Sequence, residues 1–229
     1  MRLIDTHSHL FLEEFSEDLP QVIERARSAG VTHIFMPNID STTIDSMLSV
    51  CNTYNDYCFP MIGLHPTSVN ADYEKELEIV ARELRSFNKY IAIGEVGMDL
   101  YWDKTFLKEQ QIVLDKQINW ALEYDLPVVI HCRDAFGYIY NVLEPYKNTS
   151  LKGVFHSFTG TDDEAARILE FSGFLIGING VVTFKKSRLP EVLTKIPLEK
   201  IVLETDSPYL TPVPNRGKRN ESAYVKDTL

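Results

Sequence analysis

His7-Ser8-His9 sets two imidazoles two residues apart, directly after a short run, Leu3-Ile4-Asp5. On a strand, alternate residues point the same way, so His7 and His9 project together and Asp5 shares their side. Two converging imidazoles are half of a metal site. An H-x-H pair also arises incidentally in surface turns, so the dipeptide alone leaves both readings open. The remaining histidines change the balance. The chain has six, and five of them (His7, His9, His65, His131 and His156) fall at the C-terminal ends of predicted strands. His33 opens the second predicted strand instead, where packing or surface exposure accounts for it. Active sites of parallel barrels are built at strand C-termini, a place that a packing histidine has no reason to choose.

Two carboxylates accompany them. Glu95 closes the apolar run Ile91-Ala92-Ile93-Gly94-Glu95, and Asp206 follows Val202-Leu203-Glu204-Thr205. A carboxylate ending such a run is an uncompensated buried charge unless it is ion-paired or bound to metal. Arg133 is the candidate ion-pair partner for Glu95, and for Asp206 the competing role is capping a turn through Ser207-Pro208. Imidazoles converging on the same rim favour metal for both.

The elements that must position these groups alternate along the chain. Predicted strands run over Leu3–Asp5, Thr32–Pro37, Phe59–Leu64, Tyr90–Glu95, Val128–His131, Gly153–Phe155, Phe174–Ile178 and Ile201–Glu204. Helix-period stretches lie between them: Val22, Ile23 and Ala26; Leu77, Val80, Ala81 and Leu84; and the long series Leu107, Gln111, Leu114, Ile118 and Leu122. Most strands are nearly continuous apolar runs, as in parallel strands buried on both faces. Eight such units predict an α/β fold, a (β/α)8 TIM barrel forming a single domain over 1–229. An open doubly wound sheet also alternates strand and helix, but no G-x-G-x-x-G follows a strand, and the candidate ligands sit at most strand ends instead of one switch point. Only a loop and the start of a helix near Glu221 follow the eighth strand, so the last helix of the barrel is expected to be cut short.

Composition bounds the function classes. Of 229 residues, 44% are apolar and 24% charged, the profile of a folded globular chain. With 23 basic against 33 acidic residues the net charge is −10, which excludes a uniformly basic nucleic-acid-coating protein or a polybasic membrane binder. Three cysteines, Cys51, Cys58 and Cys132, make neither a disulfide framework nor a zinc ribbon. No apolar run approaches the roughly 18 residues of a membrane span, and no signal-peptide core opens the chain. A cytoplasmic monomer is the expectation.

Seven ordered motifs resemble one family. They are Asp5-Thr6-His7-Ser8-His9-Leu10, Gly63-Leu64-His65-Pro66, Gly94-Glu95-Val96-Gly97-Met98-Asp99, Ile130-His131-Cys132-Arg133-Asp134-Ala135, His156-Ser157-Phe158-Thr159-Gly160, Glu204-Thr205-Asp206-Ser207-Pro208-Tyr209-Leu210 and Pro214-Asn215-Arg216-Gly217-Lys218-Arg219-Asn220-Glu221. Together they are similar to the TatD family of metal-dependent deoxyribonucleases, a branch of the amidohydrolase-like barrels. Met98 stands where the family more often has Leu, Ser222 replaces a usual Pro, and the chain stops some tens of residues before a typical member. The resemblance implies two divalent metals, with His7, His9 and Asp206 holding the first, His131 and His156 the second, and Glu95 bridging. It also implies Asp206 as general base. His65 then contacts the scissile phosphate or the leaving oxygen, or supports a ligand from behind.

Phosphate needs positive charge. Lys185-Lys186-Ser187-Arg188 follows the seventh predicted strand, Arg216-Gly217-Lys218-Arg219 the eighth, and Arg133 lies two residues past His131. Each is a loop charge that solvent alone can satisfy, but together on the catalytic face they make a phosphate footprint, with Arg133, Arg216 and Lys218 foremost. Phe158, Tyr101 and Trp102 are candidates either to stack on bases or to pack in the core. Four imidazoles and two carboxylates suit zinc or manganese, while the resemblance implies magnesium-supported cleavage. The expectation is a 3′-5′ exonuclease on single-stranded DNA ends, serving DNA repair or turnover. The runner-up is an ester or amide hydrolase of the same barrel, such as an aminoacyl-tRNA deacylase or a small-molecule amidohydrolase. A metal-binding interaction protein without catalysis stands third.

Overall fold

The computed structural model describes residues 2–86 and 89–229. Within them, strands β1 (Leu3–Asp5), β2 (Val31–Pro37), β3 (Cys58–Met61), β4 (Ile93–Asp99), β5 (Val128–Arg133), β6 (Gly153–Phe155), β7 (Phe174–Ile178) and β8 (Ile201–Leu203) follow one another, all paired parallel. Helices α1 (Leu19–Ser28), α2 (Ile44–Thr53), α3 (Tyr73–Ser86), α4 (Leu107–Glu123), α5 (Phe136–Leu143), α6 (Asp162–Leu169) and α7 (Leu189–Leu193) fall between them.

Ladders join β1 to β3 and β4 to β8, and isolated bridges join the two groups at both ends. Ile62 bridges to Ile93, with Gly94 N donating to Ile62 O at 2.9 Å. Ser8 bridges to Ser207, with His9 N donating to Ser207 O at 2.8 Å and Asp206 N to His7 O at 2.9 Å. The ring of strands is therefore continuous, the arrangement of a TIM barrel. The second junction matters for chemistry, because it draws the residues after β8 against the His7-Ser8-His9 turn.

The largest shifts from the predicted boundaries are in β3 and β4. β3 stops at Met61, short of the expected Leu64. β4 begins at Ile93 and runs on to Asp99, so Glu95 lies inside the strand and does not end it. Its register against β5 slips between Ile93 and Val96, a bulge that re-aims the side chains around Glu95. Gly97 makes the tight pairing feasible. Its φ of +135° suits glycine, and a side chain there would overlap the carbonyl of His131.

Helix α4 also differs from the expected apolar stripe. Its buried face is Gln110, Val113, Leu114, Gln117, Ile118 and Ala121. The two buried amides are satisfied by backbone on the strand side. Gln117 accepts from Leu64 N at 2.7 Å and donates to Leu64 O at 3.2 Å, and Gln110 does the same for Asp99 N and O at 2.9 and 3.2 Å. A single helix thus pins the backbone next to His65 and at the end of β4. Helix α6 starts on a capping box, Thr161 with Glu164, which contributes about 1 kcal/mol in such settings.

After β8 the chain turns irregularly into a 3-10 segment, Ser222–Thr228, where a barrel helix was expected to begin. This segment lies against α1 and is held by Arg25, whose guanidinium donates to Glu221 at 2.6–3.0 Å.

Candidate metal centre

Five imidazoles surround one carboxylate. Glu95 is 2% exposed. Its Oε2 lies 3.1 Å from His7 Nε2 and 3.7 Å from His9 Nε2. Its Oε1 lies 3.0 Å from His131 Nδ1, 3.3 Å from His65 Nε2 and 3.6 Å from His156 Nε2. Asp206 Oδ1 faces the same space, 3.6–3.8 Å from the Nε2 atoms of His9, His7 and His156. The five histidines expected at the rim therefore meet, as do the two carboxylates. His33 stays outside, stacked on Phe59 and bonded to Thr32. Arg133 does not pair with Glu95; its guanidinium lies over Tyr101 instead. Asp206 turns its carboxylate into the cluster, while its carbonyl accepts the turn bond from Tyr209 N.

Protons alone do not satisfy this arrangement. His7 Nε2 and His9 Nε2 stand 3.2 Å apart, and the Nδ1 atoms of both rings are buried without a hydrogen-bond partner. His7 also stacks on His156 at a 3.4 Å centroid separation. Charging all the rings would crowd cations together, and neutral rings can share one Nε2 proton between His7 and His9 only while both buried Nδ1 atoms stay unpaired. A divalent cation accepts ring lone pairs, and imidazole nitrogen with carboxylate oxygen is an ordinary ligand set for one. Ligand atoms come within 4.8 Å of one another in three groups: His7 with His9 and Glu95, His7 with His156 and Asp206, and His65 with Glu95 and His131.

Neighbours that the sequence reading passed over lie behind these rings. Asp99 Oδ2 lies 2.9 Å from His131 Nε2, so in the neutral ring the proton is held on that side and Nδ1 is free to ligate, whereas the charged ring bonds Glu95 as well. Glu204 Oε1 lies 3.0 Å from His156 Nδ1 as an ion-pair contact without hydrogen-bond geometry, and accepts from Ser157 N at 2.6 Å, while His156 Nε2 faces the centre. Both acids lie within the sequence motifs, but nothing in their spacing separates them from solvent-facing carboxylates. His65 is the reverse case. Thr67 N donates to its Nδ1, so the neutral ring carries its proton on Nε2 and presents a donor to the centre. That sets His65 apart from the other imidazoles in proton placement, although it shares a candidate ligand group with Glu95 and His131, a group that His156 does not join.

The electrostatics follow from burial and proximity. Burial pulls His7 and His65 below the usual histidine value. Burial also opposes charge on His131 and His156. For His131 the bonds to Asp99 and Glu95 outweigh it and raise the value. For His156 the nearby Glu204, Glu95 and Asp206 lift it to about 10. Burial works against ionisation of Glu95 and Asp206, yet the surrounding imidazoles hold both carboxyls below the normal range. Asp206 sits at φ 57° and Ser157 at 49°, sparsely populated conformations for such residues, so both turns are over-determined by their surroundings.

The expected phosphate contacts divide. Arg216 is exposed, its guanidinium over Phe184 and Nη1 donating to Thr211 O at 3.2 Å, and Lys218 is exposed in the same loop. Lys185, Lys186 and Arg188 are exposed after β7. Arg219 leaves this set. Its guanidinium forks onto both oxygens of Asp18 at 2.8 Å, a structural tie between the last loop and the start of α1. Among the candidate stacking rings, Phe158 is buried in the core, whereas Tyr101 and Trp102 are exposed.

A family model described as TatD related DNase matches residues 4–229. Among curated relatives, the chain is 39% identical over 225 residues to the uncharacterized metal-dependent hydrolase YabD of Bacillus subtilis, covering 98% of this chain and 87% of that protein. It is 32% identical over 233 residues to the 3'-5' ssDNA/RNA exonuclease TatD of Pantoea ananatis, covering 99% and 89%. Among solved structures, the TatD homologue YJJV of Escherichia coli superposes with a TM-score of 0.91 at 31% identity, over 99% of this chain and 87% of that one.

Proposed function

The chain belongs to the TatD family of metal-dependent hydrolases, and from that premise we propose that it is a nuclease that shortens single-stranded DNA from the 3′ end at a two-metal site. The observation that carries this reading is the division of Glu95, with Oε2 toward His7 and His9 and Oε1 toward His131 and His156. One carboxylate with ligand nitrogens on both oxygens is what a bridge between two cations requires. The relative named as a 3'-5' ssDNA/RNA exonuclease supports the choice of substrate. The sequence places no lysine where Glu95 stands, and basic loops flank the mouth, so a phosphodiester is favoured over an uncharged ester or amide.

Divalent cations, magnesium first and manganese or zinc as alternatives, would supply Lewis acidity toward the phosphate and lower the pKa of a coordinated water. His7, His9 and Asp206 would hold one, His131 Nδ1 and His156 Nε2 the other. Asp206 accepts the proton of the attacking water, because its carboxylate is kept ionised by the imidazoles around it and opens toward the mouth. His65 donates from Nε2 to a phosphate or leaving oxygen, since Thr67 holds its proton on that side and burial keeps the ring neutral. Arg133, Arg216 and Lys218 bind flanking phosphates, which also sets the substrate above the mouth of an acidic barrel.

The test is hydrolysis of an end-labelled single strand by metal-stripped protein, with magnesium, manganese and zinc added back separately. A metal-dependent ladder shrinking from the 3′ end is the expected result. No cleavage with any ion, from folded protein that still binds metal, would move the assignment to ester or amide substrates.

A further inference from the structure

Tyr101 and Trp102 are 54% and 71% exposed, adjacent in sequence, and capped by a cation. Arg133 Cζ lies 3.8 Å from the centroid of Tyr101 and 5.2 Å from that of Trp102, and the two rings meet edge to face at 4.8 Å. A single exposed ring needs no explanation, but two rings composed around one guanidinium make a surface feature of their own.

The backbone roots this feature in the candidate centre. Asp99 and Arg133 are register partners at the ends of β4 and β5, and Leu100 N donates to Arg133 O at 3.0 Å. Asp99 Oδ1 accepts from Tyr101 N at 3.0 Å, while its Oδ2 holds His131. One aspartate thus orients an inner imidazole and the outer ring pair together. Buried Leu100 anchors the turn between them. Arg133 and His131 are two apart on β5 and share its face. Stacking occupies the face of the guanidinium and leaves its N–H edge for an anionic oxygen, a use that Lys could not reproduce.

We infer that Tyr101, Trp102 and Arg133 form a stacking platform for an unpaired nucleobase beside the phosphate to be cut. Trp102 offers its ring face to the base, and Arg133 its edge to the neighbouring phosphate. The inference rests on the nuclease reading and deepens it. Every base has a π-face, so the grip tolerates any sequence. A base inside a duplex has both faces covered by its neighbours, so the platform selects single strands and frayed ends.

The experiment compares a short phosphorothioate-linked oligothymidylate with an abasic strand of equal length, bound to magnesium-saturated protein. Both carry the same charge, and affinity is read by anisotropy of a labelled strand. The base-bearing strand is expected to bind about tenfold tighter, the scale of one base–aromatic stack. In Trp120→Phe protein, where Trp102 is the sole tryptophan of the two, that strand should quench emission and the abasic one should not. Trp102→Ala should bring the affinity ratio close to one, and Trp102→Phe should restore most of it. Equal binding of the two strands by the unaltered protein, or a ratio that survives in Trp102→Ala, overturns the platform while leaving the nuclease reading standing. If neither strand binds, both readings are overturned.

Discussion

The seam between β8 and β1 and the rim of β4 and β5 each set a buried aspartate behind a histidine of the centre, and the two aspartates do different things. At the seam, Asp5 is completely buried and its carboxylate accepts from Thr205 Oγ1 at 2.6 Å, Thr205 N at 2.9 Å and His7 N at 3.4 Å. Among the described residues no cation faces it, and burial, only partly offset by the Ser222 and Thr205 hydroxyls, lifts it to about 7. At the rim, Asp99 is also buried, but it faces His131, whose bond outweighs burial and holds the carboxyl below its usual value. Asp5 therefore ties backbone to backbone where the barrel closes, and Asp99 aims a side chain. The lesson is that the partner, not the burial, decides whether such an acid serves closure or chemistry.

Glu95 stands between the two regions, and removing it is the strongest way to break the comparison. Glu95→Ala should cost at least about a thousandfold in turnover, since several kcal/mol of transition-state stabilisation pass through a metal clamp. Its thermal midpoint should stay near that of the parent in the presence of chelator. Residual turnover within tenfold of the parent would sink the bridging role.

Asp99→Asn should lower turnover and metal occupancy by about 10–100-fold, the usual cost of losing the partner behind a metal-bound histidine. Metal analysis after dialysis checks this, and unchanged occupancy would make Asp99 merely structural. Arg216→Ala should raise KM for a phosphodiester by about tenfold, the scale of one charge-assisted hydrogen bond, and leave uncharged esters alone. Equal effects on both substrate types would place Arg216 outside the substrate site.

The seam answers to stability. Thr205→Val strips the hydroxyl from Asp5 and should cost about 1–3 kcal/mol in urea unfolding, because a buried acceptor loses its donor. Asp5 also makes a pH prediction. Its folded pKa is raised, so the native state keeps a proton that the unfolded chain has released. The stability that this proton contributes is present below about pH 4 and is lost as pH rises toward 7. In chelator, Asp5→Asn should flatten that decline; an unaltered slope would mean that another group titrates.

Much of the site was legible because strand-end histidines are rare enough to carry meaning. His7, His9, His65, His131, His156, Glu95 and Asp206 all meet in one volume. What spacing does not encode is the partner. Asp99 and Glu204 look like any acids in a loop until the barrel turns them toward His131 and His156. Arg219 sits in the same basic run as Arg216, yet it folds back to Asp18, some 200 residues away along the chain. The buried amides of Gln110 and Gln117 lie off the stripe that periodicity picks out, because periodicity counts hydrophobicity and not satisfied hydrogen bonds.

The sequence by itself determined the alternation of strand and helix, the parallel sheet and the set of ligand-type residues, because these depend on local pattern and on which residue types tolerate a strand end. Tertiary structure alone decided the bulge at Glu95, which side of the His65 and His131 rings is held by a neighbour, and the division of acids between closure and chemistry. Those depend on which groups meet across the ring. Contacts between residues far apart in the chain are set by packing and register, and no local pattern carries them.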